Sequence, residues 1–215
     1  MKTMKLIEEE KKALIESLRW KGITDERILN AFRNVPREKF IAEPLRKYAY
    51  EDNALPIECM QTISQPFTVA YMTSALSVEE GNKVLEVGTG SGYQTAILCE
   101  MGADVYSIER IDKLYTLSKK LLGNLGYKVQ FKYGDGSKGW EEEAPFDRIL
   151  VTAGSPTVPR ALSDQLNVGG KMVIPVGTLE NQKLYEITKT TEGTDYKLYE
   201  SFKFVPLIGE EGWKQ

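Results

Sequence analysis

The pattern of apolar and polar positions divides the chain into a helical first part and an alternating remainder. Apolar residues recur at helical spacing within Met4–Trp20, and again after Thr24, which is suited to cap a second helix that ends before Pro36. Residues 36–63 contain three prolines and predict an irregular stretch with one or two short strands. A third helix is predicted from Pro66 to Val78. Phe67, Ala70, Tyr71 and Ser74 share one face of this helix.

From Lys83 onward, strands are predicted to alternate with helices. The strands fall at 84–88, 104–109, 128–133, 147–152 and 171–176, the helices at 93–101, 113–122 and 158–166, and Gly169-Gly170 reads as a turn. Two further strands, 183–188 and 196–207, follow without a helix and predict a hairpin. The expected fold is a doubly wound, Rossmann-like α/β sheet, mostly parallel, with an antiparallel C-terminal edge hairpin and a helical N-terminal extension.

Size and composition are those of one ordinary globular domain. The 215 residues are 41% hydrophobic and 27% charged, and we expect a single domain with a helical part over 1–80 and an α/β core over 81–215. The net charge of −3, without a basic run, argues against a nucleic-acid partner held by bulk electrostatics. No apolar stretch approaches the roughly 18 residues that span a bilayer, so no membrane partner is expected. Residues 1–12 are rich in Lys and Glu and lack an apolar signal core, which predicts a cytoplasmic location.

Histidine is absent from the sequence, and this limits the chemistry. Ser-His and Cys-His catalytic arrangements and His-based zinc sites are excluded. The two cysteines, Cys59 and Cys99, match no metal-ligand spacing and are expected to be small, partly buried side chains. No metal site is predicted, and any reaction must proceed without an imidazole base.

A glycine-rich turn follows the first strand of the alternating region. Gly88, Gly90 and Gly92 separate an apolar strand from a helix, which suits a backbone that comes close to a ligand at the helix N-terminus. A glycine turn without a ligand would give the same local pattern. Two acids on the same rim of the sheet favour a ligand: Glu109 ends the next strand, 17 residues after Gly92, and Asp135 follows the third.

The glycine spacing indicates which nucleotide is bound. The glycines read G-x-G-x-G, with Glu86 two residues ahead, and not the dinucleotide pattern G-x-G-x-x-G. This form resembles the nucleoside-binding loop of class I methyltransferases, which faces the methionine part of S-adenosylmethionine. The sequence therefore favours S-adenosylmethionine over NAD.

Several short motifs, in a fixed order from about residue 35 to Trp213, resemble one family. They are Val35-Pro36-Arg37, Gln61-Thr62-Ile63-Ser64-Gln65-Pro66, the glycine loop from Glu86 to Tyr93, Gly134-Asp135-Gly136, Gly139-Trp140, Phe146-Asp147-Arg148-Ile149, Thr152-Ala153, Gly169-Gly170 and Phe204-Val205-Pro206-Leu207. Together they are similar to the protein-L-isoaspartate O-methyltransferases, with the class I methyltransferase fold. The resemblance implies methyl transfer from S-adenosylmethionine to the free α-carboxylate of L-isoaspartyl residues in damaged proteins, leaving S-adenosylhomocysteine.

The resemblance also implies roles for individual residues. Ser64 would be the active-site hydroxyl and would contact substrate together with Val205, Pro206 and Leu207. The residues implied in cofactor binding are Gln61, Thr62, Ile63, Glu86, Gly88, Thr89, Gly90, Gly92, Glu109, Arg110, Asp135 and Gly136. Among these, the loop at Gly88 would hold the methionine part, Glu109 the ribose, and Asp135 with Gly136 the adenine.

One segment departs from the family pattern, and other functions stay open. Members commonly carry glycines before the Gln-Thr-Ile-Ser run, where this chain has Glu58-Cys59-Met60. The absence of histidine fits a carboxylate acceptor, because a group with a pKa near ~4 is already ionised at neutral pH. The alternatives are methyl transfer to another acceptor, such as RNA or a small molecule, and a non-catalytic cofactor-binding adaptor.

Overall fold

A computed structural model describes residues 4–214, which form a seven-stranded sheet flanked by helices. The helices are α1 (Met4–Trp20), α2 (Glu26–Asn34), α3 (Pro66–Leu76), α4 (Tyr93–Glu100), α5 (Asp112–Asn124) and α6 (Arg160–Asp164). The strands are β1 (Leu55–Pro56), β2 (Thr62–Ile63), β3 (Lys83–Val87), β4 (Asp104–Glu109), β5 (Val129–Tyr133), β6 (Phe146–Val151), β7 (Leu166–Gly177), β8 (Gln182–Lys189) and β9 (Thr194–Phe202).

The main sheet has the order β5-β4-β3-β6-β7-β8-β9. Neighbours from β5 to β7 run parallel, whereas β7, β8 and β9 form an antiparallel edge. This confirms the mostly parallel sheet with a C-terminal antiparallel hairpin. Strand order reverses between β3 and β6, and a doubly wound sheet opens a crevice beside the carboxyl ends of the strands at such a point.

Two helices begin on carboxylates that the sequence pattern did not indicate. The side chain of Asp25, and not that of Thr24, accepts a hydrogen bond from Arg27 N (2.9 Å) at the start of α2. At α3, Asp52 accepts from Phe67 N at 2.7 Å, from 15 residues upstream. A carboxylate at a helix N-terminus is stabilised by the unpaired N–H groups and by the helix dipole.

Helix α3 is buried nearly all round. Of the four residues that share one face, Ala70 is buried, and the other buried apolar side chains of the helix include Val69, Met72, Ala75 and Leu76. Phe67 and Tyr71 are only partly buried and pack at the edge of the core, and Ser74 is exposed. The helix lies between the N-terminal helices and the sheet, which contacts it at β6 and β7, so more than one stripe is covered.

Three predicted elements near the C-terminus differ from the structure. Helix α6 has only five residues, because Pro159 precedes it and Leu166 already pairs with Phe146 as part of β7. Gly170 lies inside β7, at a register shift opposite Asp147, and is not a turn. Strand β9 ends at Phe202, so residues 203–207 leave the sheet.

One hydrophobic cluster runs from the N-terminal helices into the sheet. It includes Leu18 of α1, Phe32 of α2, Leu76 of α3 and Val84 of β3, all nearly inaccessible to solvent. A second cluster, around Leu85, Ile149 and Ile174, covers the opposite face. Within residues 4–214, no helix is both long and apolar enough to cross a membrane.

Candidate active site

The crevice lies at the carboxyl ends of β3 and β6, where the strand order reverses. The hydroxyl of Thr152, the first residue after β6, donates to the carbonyl of Gly88, the first residue after β3, at 2.7 Å. The same hydroxyl lies 3.0 Å from Val87 O. A side chain from one strand end thus holds the main chain of the other across the opening.

The glycine loop requires its glycines for different reasons. Gly88 (φ +99°) has no room for a Cβ, which would lie 2.5 Å from Thr152 Oγ1. Gly90 (φ +55°) borders the crevice, and a Cβ there would meet no protein atom within 4 Å, so it would project into open space. Gly92 (φ +88°) is buried against Leu122 of α5 and does not line the crevice. This packing and the positive φ require a glycine at this position, and the predicted cofactor contact of Gly92 stays a prediction.

Glu109 stands where the sequence placed it, at the end of β4. Its two carboxylate oxygens accept from Gly90 N (2.8 Å) and Ile111 N (2.9 Å), and the side chain is 4% exposed. Each oxygen keeps a further lone pair that can accept from a ligand hydroxyl. The main-chain donors fix the carboxylate in one orientation at the crevice wall.

Glu86 lies beneath the loop and is not among the residues that line the crevice, and its predicted contact with the cofactor stays a prediction. Its Oε2 accepts from Thr95 Oγ1 (2.5 Å) and Ser107 Oγ (2.7 Å). Because Ser107 gives its only hydrogen to Glu86, the 2.6 Å contact between Thr89 Oγ1 and Ser107 Oγ requires Thr89 to be the donor. Complete burial raises the pKa of Glu86 to about 7, despite these two donors. Glu86 therefore anchors Thr89 of the loop from below.

Asp135 lies in a depression beside the crevice, and its predicted contact with the adenine stays a prediction. Its carboxylate accepts from Ser137 N (2.9 Å), Ser137 Oγ (2.7 Å) and Glu210 N (2.7 Å). Partial burial opposes ionisation of Asp135, but these donors lower its pKa below the ordinary value. Its neighbour Gly136 does line the crevice, whereas Asp135 belongs to a shallower depression beside it.

The predicted active-site segment enters the crevice from a small hairpin. Strands β1 and β2 pair antiparallel, and Gln61, Thr62, Ile63 and Ser64 follow the hairpin tip and border the crevice. Ser64 is half-buried, and its hydroxyl has no protein hydrogen-bond partner among residues 4–214. A free hydroxyl at the crevice wall can donate to a bound anion.

The hairpin tip keeps a backbone that favours glycine, although this chain has none there. Cys59 and Met60 have φ values of +59° and +56°. The departure from the family pattern therefore lies in the side chains and leaves the left-handed backbone in place. Glu58 forms an ion pair with Lys113 of α5 at 2.6 Å, and Met60 is 95% exposed.

The C-terminal residues reach the crevice by leaving the sheet after β9. Gly154 N donates to Val205 O, and Leu207 N donates to Gly154 O, both at 2.8 Å, next to the end of β6. This placement brings Val205, Pro206 and Leu207 to the crevice wall, and their contact with the substrate stays a prediction.

Residues 207–214, here termed the C-terminal strap, continue across the end of β5. Glu210 N and Glu211 N donate to Asp135 and Ser137, and Trp213 Nε1 donates to Gly154 O.

The crevice encloses about 1030 Å³, including space that is open to solvent, and unites most of the predicted site. The predicted residues that line it are Gln61, Thr62, Ile63, Ser64, Gly88, Thr89, Gly90, Glu109, Arg110, Gly136, Val205, Pro206 and Leu207. Residues absent from the prediction also line it, among them Ser91, Tyr93, Gln94, Ile111, Leu114, Thr152 and Ile208. Of these, Thr152 directly follows the end of β6, and Ile111 is the second residue after the end of β4, positions that could have identified them.

The donors and walls of the crevice fit a nucleoside cofactor. Glu109 offers carboxylate oxygens suited to a ribose diol, and Ile111 and Leu114 offer an apolar wall for a flat base. The open space beside Gly90 allows the main chain to approach a ligand closely. Among the described residues, no group of three His, Cys, Asp or Glu side chains could hold a metal ion.

A seven-stranded doubly wound sheet with this crevice at its switch point defines a class I methyltransferase. Comparison with known proteins identifies the family. The chain matches the family model described as protein-L-isoaspartate(D-aspartate) O-methyltransferase over residues 9–212. The chain belongs to the protein-L-isoaspartate O-methyltransferase family, which confirms the family predicted from its motifs.

Individual relatives cover almost the whole chain. A protein-L-isoaspartate O-methyltransferase from Parvibaculum lavamentivorans is 53% identical over 205 residues, 94% of this chain and 92% of the relative. A solved protein-L-isoaspartate O-methyltransferase has a TM-score of 0.85 at 31% identity, covering 94% of this chain and 67% of that one. A Plasmodium falciparum structure, described as a beta-aspartate methyltransferase in complex with S-adenosyl-L-homocysteine, has a TM-score of 0.79 at 29% identity, covering 92% and 97%.

Proposed function

We propose that this chain is a protein repair methyltransferase that transfers the methyl group of S-adenosylmethionine to the free α-carboxylate of L-isoaspartyl residues in damaged proteins and peptides. The ester would then collapse through a succinimide, which returns part of the damage to aspartate. One observation carries the proposal: the nucleoside-type wall at Gly88 and Glu109, the hydroxyl of Ser64 and the Val205–Leu207 segment border one crevice. Family membership independently supports it.

The cofactor would be held by main chain and one carboxylate. Glu109 would accept from the ribose hydroxyls, and the loop from Gly88 to Gly90 would approach the methionine part. Gly136, Ile111 and Leu114 would form the adenine side. When bound, S-adenosylmethionine supplies an electrophilic methyl group.

The acceptor needs orientation more than activation. A free carboxylate with a pKa near ~4 is ionised at neutral pH, so no general base is required. Ser64 would donate a hydrogen bond to this carboxylate and hold one oxygen in line for attack on the methyl carbon. Val205, Pro206 and Leu207 would contact the peptide beside the acceptor.

A methyl-transfer assay with radiolabelled S-adenosylmethionine on paired peptides tests the function. The two peptides differ only in carrying aspartate or L-isoaspartate at one position. We expect label on the L-isoaspartyl peptide alone, released as methanol when the ester hydrolyses. Equal labelling of both peptides would refute the substrate assignment. Cofactor binding without any transfer would instead support an adaptor.

We also place the protein in the cytoplasm. Its cysteines, Cys59 and Cys99, are both free, which fits a reducing compartment. Subcellular fractionation of the native host tests this placement. Recovery of the protein from a secreted or membrane fraction would refute it. The expected partners are damaged proteins bearing L-isoaspartyl residues.

A further inference from the structure

Arg37 is a fully buried cation directly behind the active-site segment. It lies in a single 3-10 turn, Arg37–Phe40, and is 0% exposed. Its Nε donates to Ala49 O at 2.9 Å, and its Nη2 donates to Ser64 O at 2.9 Å and to Asn53 O at 3.4 Å. The guanidinium therefore joins its own turn to the stretch 49–53 and to the active-site segment through three main-chain carbonyls, one of which belongs to Ser64 itself.

The same guanidinium also contacts the cofactor side of the crevice. Its central carbon lies 4.7 Å from the ring centroid of Tyr93, which is the first residue of α4 and directly follows the glycine loop. The Tyr93 ring is in turn held by edge contacts with Phe32 and Phe40, at 5.9 and 5.6 Å. Arg37 thus lies between the main chain of Ser64 and the start of the helix that follows the loop.

The bonding of this cation favours a positioning role over simple packing. Burial lowers the pKa of Arg37, although Tyr93 and the nearby charge of Asp52 act in the opposite direction. Its Nε and Nη2 donate to main-chain carbonyls, whereas Nη1 has no hydrogen-bond partner among the described residues. A buried charge is costly, and an apolar residue of similar size would pack without that cost. The planar fork of donors fixes the relative positions of its acceptors in a way that an ammonium cannot reproduce.

We propose that Arg37 is a positioning residue that fixes the main chain of Ser64 against the start of α4 and so directs the Ser64 hydroxyl at the acceptor carboxylate. The inference rests on the proposed function, because it assigns Arg37 a role through Ser64. Arg37 itself does not border the crevice and touches no reacting group.

The first test compares Arg37→Lys and Arg37→Met with the wild type. Kinetics with the L-isoaspartyl peptide are measured well below each variant's Tm, together with the Kd for S-adenosylhomocysteine by calorimetry. Because a displacement near 1 Å can cost about 100-fold in rate, we expect kcat to fall at least about tenfold in both variants. The Kd should change by less than about threefold, because the glycine loop and Glu109 are untouched.

Two controls separate positioning from stability. Leu18→Ala removes a buried side chain on α1 that makes none of the Arg37 contacts, and it supplies a variant with lowered Tm but intact site. Arg37→Lys is also combined with Ser64→Ala. If Arg37 acts through the Ser64 hydroxyl, its loss costs much less in the Ser64→Ala background.

The outcomes are distinct. A fall in kcat that is non-additive with Ser64→Ala supports the proposal. Kinetics like those of Leu18→Ala, full additivity with Ser64→Ala, or a parallel loss of S-adenosylhomocysteine binding would overturn it. If the Arg37 variants do not fold, Tyr93→Leu takes their place, because it removes the ring that the guanidinium contacts and keeps Arg37. The proposal then requires that Tyr93→Leu be non-additive with Ser64→Ala. Wild-type protein that fails to methylate the L-isoaspartyl peptide refutes the proposed function instead.

Discussion

The free hydroxyl of Ser64 has a testable energetic value. A hydrogen bond to a charged group contributes about 1.5–3 kcal/mol, which corresponds to roughly 10- to 100-fold in rate if it is strongest in the transition state. We therefore expect Ser64→Ala to lower kcat by that factor and to leave the Kd for S-adenosylhomocysteine within about twofold. Steady-state kinetics and calorimetry measure the two quantities. The control is Ser74→Ala, the same change at an exposed position of the neighbouring helix α3. Wild-type turnover in Ser64→Ala would contradict the proposed orienting role of the Ser64 hydroxyl.

Glu86 makes the stability of the fold depend on pH in an unusual direction. Its folded pKa of about 7 lies above the ordinary value of 4.5. Between these two pH values the folded state binds more protons than the unfolded state. The stabilisation that comes from protonating Glu86 is therefore complete below pH 4.5 and is lost as the pH rises through 7. The difference corresponds to about 3 kcal/mol between the two limits. Most carboxylates with stabilising partners act in the opposite sense.

Glu86→Gln tests this dependence, because glutamine keeps the shape and one acceptor oxygen but does not titrate. We expect the variant to gain stability relative to the wild type as the pH rises from 5 to 8. Urea unfolding at several pH values measures the difference, with the exposed Glu180→Gln as a control for lost charge. A constant difference between variant and wild type across this pH range would show that Glu86 does not titrate there.

Single residues differ in how far the sequence predicts them. Gly88, Glu109 and Ser64 were placed at the crevice wall because strand ends and motif order locate them. Glu86, Gly92 and Asp135 lie close by in sequence but are not among the residues that line the crevice, so their predicted cofactor contacts stay predictions. The orientation of a side chain depends on neighbours such as Ser107, Leu122 and Glu210, which are distant in sequence.

At the scale of elements, the β1–β2 hairpin stores backbone strain beside the site. Met60 adopts φ +56°, yet its side chain is 95% exposed and has little packing to lose. A left-handed residue other than glycine costs about 1–2 kcal/mol, whereas glycine loses roughly 0.5–1 kcal/mol of unfolded-state freedom. We expect Met60→Gly to raise Tm by about 1–3 °C in a thermal unfolding experiment. Met60→Ala keeps the Cβ and should bring no gain; an equal gain in both variants would contradict the strain argument.

Elements were predicted well where periodicity was strong and poorly where tertiary pairing decided. The five parallel strands follow apolar runs in the sequence. The length of β7 does not follow from an apolar run. Its first part pairs with Phe146, and a register shift that contains Gly170 separates this part from the rest of the strand. The end of β9 at Phe202 is set by Gly154, which draws Val205 and Leu207 away from the edge. The local sequence around Phe202 does not indicate a hydrogen-bond partner that lies about 50 residues away along the chain.

On the scale of the whole molecule, the C-terminal strap links the crevice to the end of β5. Ile208 lines the crevice, and the next residue, Gly209, packs against Asp135 and Ser137 so closely that a Cβ would overlap both side chains. Occupancy of the crevice should therefore be coupled to the placement of the strap and, through it, to global stability.

Thermal unfolding with S-adenosylhomocysteine tests that coupling. At a concentration near 100 times Kd, a ligand that binds only the folded state adds about 2.7 kcal/mol. For a chain of this size that raises Tm by roughly 5–10 °C. Gly209→Ala should reduce the shift at the same ligand concentration, because the strap can no longer seat. Gly123→Ala, a helical position where a Cβ meets no neighbour, should keep the full shift. If S-adenosylhomocysteine raises the Tm of Gly209→Ala as much as that of the wild type, the placement of the strap is not coupled to ligand binding.

The position of Val205 to Ile208 along the chain has a consequence for biosynthesis. The opposite wall is formed by residues 61–64, so the crevice needs contributions from both the early and the late parts of the chain. During translation the N-terminal helices and the first parallel strands can assemble while the later wall is still inside the ribosome. A nascent chain should therefore gain its methyl-acceptor site only after residues 205–208 have left the ribosome.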